Sequence, residues 1–353
     1  MIVLVVNCGS STLKWSLFEV ERGGRLTRLD GASRPIAGDR RELFEAMRRQ
    51  LIAAPDLIAH RMVHGGRLDP GLLPVSDAVI EALELATELA PLHNQAALEG
   101  IRLGLVFDRP QVVAFDSAFH RTLPEVASRY PIPASIPVRR LGFHGWSHQH
   151  AMEQYSILSG SAQPTIITLH LGSGCSATAI RRGRSVDTSM GFTPLEGLMM
   201  GTRAGDLDPG VITYLMHQGF TADDIDRILN RESGLRAVAG ASDMQEVLAR
   251  KDAAAELAIE MFCYRARKYV GAYLAVLEGA EALVFTGGIG EHAAEIRRRI
   301  CEPLGWAGLV LDPVRNARSD QRISADEARV TAWVVPADEE RIIAREAVRL
   351  IAG

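Results

Sequence analysis

The chain has little cysteine, no long apolar run and no block of basic residues, and each shortage narrows its class. Its four cysteines, Cys8, Cys175, Cys263 and Cys301, are scattered without paired metal-ligand spacing, which argues against a disulfide scaffold or a zinc module and predicts reduced thiols. No helix start or adjacent basic residue stands beside Cys8 or Cys175 to activate a thiolate, so both read as small buried side chains. No apolar stretch approaches membrane-spanning length, and Met1 to Val6 is too short for a signal-peptide core and lacks a basic leader. A cytoplasmic protein is expected. A net charge of -4 without a lysine or arginine run gives no basis for nucleic acid or a membrane surface as partner. What is present is a chain of 353 residues, 47% of them apolar, enough for two domains with substantial cores.

The most informative stretch runs from Thr168 to Pro209. Ile166 to Leu171 is a short apolar strand, Gly172-Ser173-Gly174 a turn, and Cys175 to Ile180 a returning strand. Glycines at such a turn let backbone N–H groups approach an anion, although a lone hairpin of this kind is more often only a turn. The same pattern occurs at the N-terminus. Laying VVNCGSSTLKWSLF over TLHLGSGCSATAIR without a gap sets Asn7 on His170, Gly9 on Gly172 and Ser10 on Ser173, which predicts two related halves. A pair of facing glycine hairpins is a better phosphate site than either one alone.

Other candidates lie along the chain. Lys14, on the returning strand of the first hairpin, either reaches phosphate or is a solvated charge. Arg61, in the apolar strand LIAHRMVHGG, needs a carboxylate partner or an anion. Asp116 ends the strand from Val112, on the sheet edge where ligands of α/β proteins bind, or else caps the turn at Ser117. YPIPASIPV, Tyr130 to Val138, has three prolines in nine residues and marks a domain boundary. His144, bracketed by Gly142 and Gly145, is placed to donate to a phosphoryl oxygen, whereas His148 and His150 read as surface or packing residues. The absence of a His-Glu-x-x-His pattern argues against a metal cluster there. Asp208 and Pro209 open a helix, leaving Arg203 on the preceding loop. Ser233 to Asp243 reads as a glycine-rich loop and Met244 to Leu277 as mostly helical. Thr286 to Glu291 is a strand, glycine turn and helix start of the kind on which a nucleotide lies. Asp338 to Leu350 is a helix whose first acidic residues are ordinary N-terminal chemistry and, at Glu339, a candidate for magnesium.

The segments NCGSSTLK, HRMVHGG, LAPLHN, FDSAFH, RRLGFHGWSH, HLGSGCS, VDTSMGFTPLEGLMMGTRAGDLDP, SGLRAVAGASD and FTGGIGEH stand in the order found in acetate kinases. The chain resembles that family throughout, within the superfamily of acetate and sugar kinases, heat-shock cognate proteins and actin. The resemblance implies an α/β, duplicated ribonuclease-H-like, actin-like fold in two domains with a cleft between the halves. The domains are expected at residues 1–138 and 139–338, with a helix from about 339 to 353 packing back on the first. It further implies reversible phosphoryl transfer from ATP to a short carboxylic acid, with magnesium or manganese, in a homodimer. Carried onto this sequence, Arg61 and Arg203 hold the carboxylate and the phosphoryl group. Asn7 and His144 donate to phosphoryl oxygens. Asp116 and Glu339 are the acidic residues of the metal site, to which Asn7 also belongs. His170 and its hairpin, Gly172, Ser173 and Gly174, face the phosphates, as do Ser10, Thr12 and Lys14 of the first hairpin. Asp243, Gly287, Gly288 and Ile289 belong to the nucleoside side. His93 matches a further active-site histidine, and Val63, Leu92, Phe143 and Pro194 an apolar pocket for the methyl end of the acid. Ser173 replaces the family's usual asparagine, Trp146 a threonine, Gln95 a proline, Ala204 a serine and Gln245 an arginine. Propionate or another short acid, pyrophosphate as donor, and a non-catalytic nucleotide-binding relative are the alternatives.

Overall fold

The computed structural model describes all residues except Ser10, Ser11, Arg22, Ala37, Gly66, Arg67, Asp69, Pro70, Glu88, Leu89, Ala90 and Gly353, and except the side chains of Ala86, Pro91, Leu92 and His93. The chain divides into two units, Met1–Arg121 with Asp338–Gly353, and Thr122–Ala337.

In the first unit the strands are β1 (Ile2–Cys8), β2 (Thr12–Val20), β3 (Leu26–Pro35), β4 (Leu57–Met62), β5 (Leu72–Pro74) and β6 (Gln111–Phe115). Their order across the sheet is β3-β2-β1-β4-β6-β5, with β1 to β3 antiparallel and β1, β4 and β6 parallel. In the second unit they are β7 (Ile166–Leu171), β8 (Cys175–Arg181), β9 (Arg184–Thr188), β10 (Ala282–Thr286) and β11 (Thr331–Val334). The order there, β11-β10-β7-β8-β9, repeats the pattern: an antiparallel meander, then two strands parallel to its first member. Both units thus carry the ribonuclease-H-like topology expected of a duplicated α/β fold. The first adds β5 at its edge, antiparallel to β6.

The parallel strands are buried on both faces. Residues 3–6 of β1 and 112–115 of β6, and all of β10, are fully enclosed, the burial that covering helices impose on parallel sheets. Helix Glu339–Ala352 packs on β1, β2 and β4 of the first unit through Ile342, Ile343 and Ala347. Helix Ala253–Leu277 lies against β8, burying Ile259, Phe262, Val270 and Tyr273. The chain leaves each parallel strand at the same edge, so Cys8, Met62, Phe115, Leu171 and Thr286 all hand over to loops at the carboxyl ends of their sheets.

Two sequence expectations are corrected. The glycine-rich stretch from Ser233 contains a helix, Gly234–Ala239, because Gly234 takes a φ of +65° and turns the chain into it. The two hairpins do not superpose residue for residue. Cys8 pairs with Leu13, whereas Leu171 pairs with Cys175, so the first turn is one residue longer. Gly9 N–H closes it on Thr12 O at 2.8 Å, and Gly172 N–H closes the shorter one on Gly174 O at 3.1 Å. Among the described residues no helix is long and apolar enough to cross a membrane. All four cysteines are free and buried. Burial pushes the Cys8 thiol up to about 11 and those of Cys175 and Cys263 to about 12.

Candidate active site

In the second unit three elements meet at the turn Gly172-Ser173-Gly174. His144 stands at the start of helix Gly145–Ser159 with a φ of 55°, a left-handed conformation that sets the ring back over β7 and β8. Its ring lies 4.2 Å, centroid to centroid, from that of His170. Arg203 comes from the loop before helix Pro209–His217 and donates to Pro194 O at 2.7 Å. A Cβ placed on Gly174 would stand 3.2 Å from His144 Nε2 and 3.3 Å from Arg203 Nη2. One ring nitrogen, one guanidinium and a backbone turn therefore converge where even a Cβ would be crowded. This is the composition of a phosphoryl-oxygen cradle.

Beside it is a pocket of about 440 Å³ lined by Gly172, Ser173, Asp243, Gln245, Gly288 and Ile289 among others, a volume in the range of small-ligand sites. Met244, Leu248 and Ala293 give it apolar walls, and His292 lies at its side. The Asp243 carboxylate caps helix Met244–Ala249 by accepting from Gln245 N–H at 2.7 Å. Gly287 begins helix Gly287–His292 with a φ of +77°, and Leu171 O lies 2.8 Å from where its Cβ would be. Only glycine brings this helix so close to the end of β7.

Buried ionic contacts that sequence reading missed hold these loops. Arg140 donates to the carbonyls of Thr188, Ser189 and Met190 at 3.1 Å each and pairs with Glu196, to which Tyr130 also donates. Asp206 accepts from Gly197 N–H and Tyr269 O–H. Together they fix both ends of the loop that carries Arg203. Arg297, fully buried, donates to Gly290 O, Glu291 O, Asn316 Oδ1, Asn316 O and Ser319 Oγ. Burial lowers its pKa to about 10, and its forked donors tie helix Gly287–His292 to the segment around Asn316. An acidic residue in a polar loop or an arginine in an amphipathic helix reads as solvated, so no local signal marks these. His148 and His150, read as surface or packing residues, are both buried. Trp146 is 2% exposed and packs in the interior.

In the first unit Arg61, near the end of β4, makes a two-pronged contact with Asp116, Nε to Oδ1 at 3.1 Å and Nη2 to Oδ2 at 2.8 Å. Glu339, the first residue of its helix, lies 3.5 Å from Arg61 Nε. Lys14 Nζ is 2.6 Å from Glu340. Burial opposes the charge of Arg61, but Asp116 and Glu339 outweigh it and push its pKa up. Glu339 is raised to about 7, first by burial and then by the neighbouring Asp116 and Glu340 carboxylates against the pull of Arg61. Three carboxylates thus share two cations. Asn7 precedes the first turn at the end of β1 and is paired across the hairpin with Lys14. The Asn94 side chain, another residue missed at first, clamps the loop after β4 by donating to His64 O at 2.7 Å and accepting from His64 N–H at 3.1 Å. It lies in the LAPLHN segment, where a buried amide was the only clue.

Thr12 is exposed at the start of β2, and Val63 is half-buried on the loop after β4, both in the first unit. Phe143 is buried and Pro194 half-buried in the second. Ser10 lies outside the described residues, as do the side chains of Leu92 and His93.

Residues 36–345 match the model of the acetokinase family. The chain belongs to that family. It is 42% identical over 410 aligned positions to an acetate kinase of Solibacter usitatus, covering 100% of this chain and 99% of that one. A propionate kinase from Francisella tularensis superposes with a TM-score of 0.90 at 35% identity, covering 98% of both chains. The Porphyromonas gingivalis acetate kinase gives 0.87 at 35% identity, covering 99% of both. The acetokinase fold thus extends over the whole chain.

The two glycines that open helix Gly287–His292 separate packing from access. Gly287→Ala forces a Cβ against the Leu171 carbonyl at positive φ and should lower stability by about 1 to 3 kcal/mol. At Gly288 nothing lies within 4 Å of a Cβ, so Gly288→Ala should stay within about 0.5 kcal/mol of the parent. Equal urea midpoints for the two variants would remove the close approach at Gly287.

Proposed function

We propose that this acetokinase-family enzyme transfers the γ-phosphoryl group of ATP to acetate, reversibly and by direct in-line displacement, giving acetyl phosphate and ADP. The observation that carries the reading is the meeting of His144 Nε2 and the Arg203 guanidinium at the Gly174 turn, beside a pocket of nucleoside size. ATP is assigned to the second unit, with its base and ribose toward Asp243, Gly288 and Ile289 and its phosphates toward His170, Gly172, Ser173 and Gly174. The first hairpin, with Ser10, Thr12 and Lys14, is also assigned to phosphate.

A carboxylate is already ionised at neutral pH and needs no general base. The enzyme's task is therefore alignment and stabilisation of spread negative charge. Arg203 and His144 do this at the transferring phosphoryl group, and Asn7 donates to it. Arg61 is assigned to the acid's carboxylate, Val63, Leu92, Phe143 and Pro194 to its methyl end, and His93 to the active site without a defined role. Asp116 and Glu339, with Asn7, are suited to magnesium. A hard cation that keeps its waters and substrate phosphates needs only one or two carboxylates, and a divalent ion would offset the negative charge of the clustered Asp116, Glu339 and Glu340 carboxylates. Held there, the metal would supply positive charge to offset the negative charge of the phosphates. Among the described residues no group of three or more His, Cys, Asp or Glu side chains is placed to hold a metal ion by itself.

We also assign a homodimer. Helix Pro209–His217 buries none of its residues although it carries Val211, Ile212, Tyr214, Leu215 and Met216, and Phe220 follows it exposed, a patch that a second subunit would cover. Sedimentation at the monomer mass at micromolar concentration would remove this assignment.

Trapping acyl phosphate with hydroxylamine tests the activity. Acetate should react best, propionate about tenfold less well and butyrate poorly, since one methylene in a small dry pocket is worth roughly 1 to 3 kcal/mol. The likeness to a propionate kinase makes propionate the second reading, and a higher kcat/KM for propionate would establish it. No acyl phosphate with ATP, but product with pyrophosphate, would reassign the donor.

Arg203→Ala should lower kcat on the order of 100-fold or more, the usual cost of one donor to transition-state charge. Turnover near that of the parent would take Arg203 out of the chemistry.

A further inference from the structure

Behind His144 runs a buried chain of hydrogen bonds that the phosphoryl-transfer reading does not use. Ser176 Oγ lies 2.9 Å from His144 Nδ1 and 2.7 Å from His148 Nε2. His148 Nδ1 in turn lies 2.7 Å from Thr168 Oγ1. Thr168, Ser176 and His148 are each fully buried. His148 sits one helical turn after His144, its N–H bonded to His144 O at 3.0 Å, while Thr168 and Ser176 come from the adjacent strands β7 and β8. Helix and hairpin together thus build the chain.

We propose that Thr168, His148 and Ser176 are positioning residues that fix His144 as the neutral tautomer protonated on Nε2, the nitrogen that faces the Gly174 turn and Arg203. Proton counting sets the direction. Among the described residues the Thr168 hydroxyl makes one hydrogen bond, to His148. If it accepted there, its own proton would be buried without an acceptor, the costlier omission for a hydroxyl. It therefore donates to His148 Nδ1, which leaves the proton of the neutral ring on Nε2. That proton goes to Ser176 Oγ. A hydroxyl has one proton to give, so Ser176 donates it to His144 Nδ1, and His144 must carry its own proton on Nε2. Burial of His148 and the Arg203 cation near His144 both oppose a doubly protonated ring.

The consequence is a hydrogen-bond donor that needs no titration. A histidine free to choose its tautomer would present a lone pair to an anionic phosphoryl oxygen part of the time, and repel it. The wired His144 presents N–H throughout the neutral range.

This inference rests on the assignment of His144 to the phosphoryl group, but its first test does not. In ligand-free protein labelled with ¹⁵N-histidine, the nitrogen shifts of His144 and His148, assigned through His144→Gln and His148→Gln, should both report the Nε2–H tautomer. Nδ1–H on His144 would overturn the proposal whether or not the protein makes acyl phosphate, and Nε2–H would support it even if no activity were found. Thr168→Val keeps the shape and removes the first donor. It should lower kcat on the order of tenfold, as loss of a partner that orients a functional histidine does, with KM for ATP and acetate little changed, and Thr168→Ser should restore kcat. Parent-like kcat in a folded Thr168→Val protein would overturn the proposal. If that variant melts early, the tautomer measured in the parent decides alone.

Discussion

Parallel pairing of the central strands is the constraint on which the rest of the structure depends. Because β1, β4 and β6 run the same way, Asn7, Arg61 and Asp116 are all delivered to one edge of the first sheet. Because β7 and β10 run the same way, His170 and Gly287 are delivered to one edge of the second, with His170 in register with Thr286. The strand interiors are largely apolar and closed to water, with a few buried polar side chains such as His60, Thr168 and Ser176 among them. The strand ends leave backbone N–H groups without ladder partners, where a ligand can meet them.

The two edges solve different electrostatic problems. In the first unit carboxylates outnumber cations: Asp116, Glu339 and Glu340 face Arg61 and Lys14. A buried set of that sign is costly by itself and becomes favourable only with an added positive charge. In the second unit the balance is reversed at the Gly174 turn, where the Arg203 guanidinium and the His144 ring converge. An enzyme joining a carboxylate to a phosphoryl group handles anions, and the two units present charge clusters of opposite balance at their strand ends.

Much of this was legible in the sequence, and what was not shares one physical cause. Glycine turns at Gly172 and Gly287 announce themselves, since backbone that must approach a ligand or another strand excludes a Cβ. Arg61 and Asp116 stand out as charges in apolar strands. The proline-capped helix after Asp208 was readable to the residue. By contrast β3, a polar edge strand, and β9, five residues long, carry no strong periodicity. Glu196, Asp206, Arg140 and Arg297 look like surface charges until the fold brings their partners from up to 66 residues away, as Tyr130 comes to Glu196. Local pattern reports what a residue does to its own backbone and cannot report a partner that arrives from another element.

His144 shows how these levels combine. Its sequence neighbours, Gly142 and Gly145, mark an unusual backbone, and the structure finds it left-handed. That conformation alone would leave the ring free to rotate and to exchange its proton between nitrogens. Packing adds the His170 ring at 4.2 Å, and hydrogen bonding adds Ser176 on Nδ1. Only then is a single nitrogen aimed at the turn. The strained residue is tolerated because each contact removes one remaining freedom, so the ordering entropy is lost on folding instead of at each turnover. A site that must stabilise charge for a brief moment gains most from groups that do not have to move to meet it.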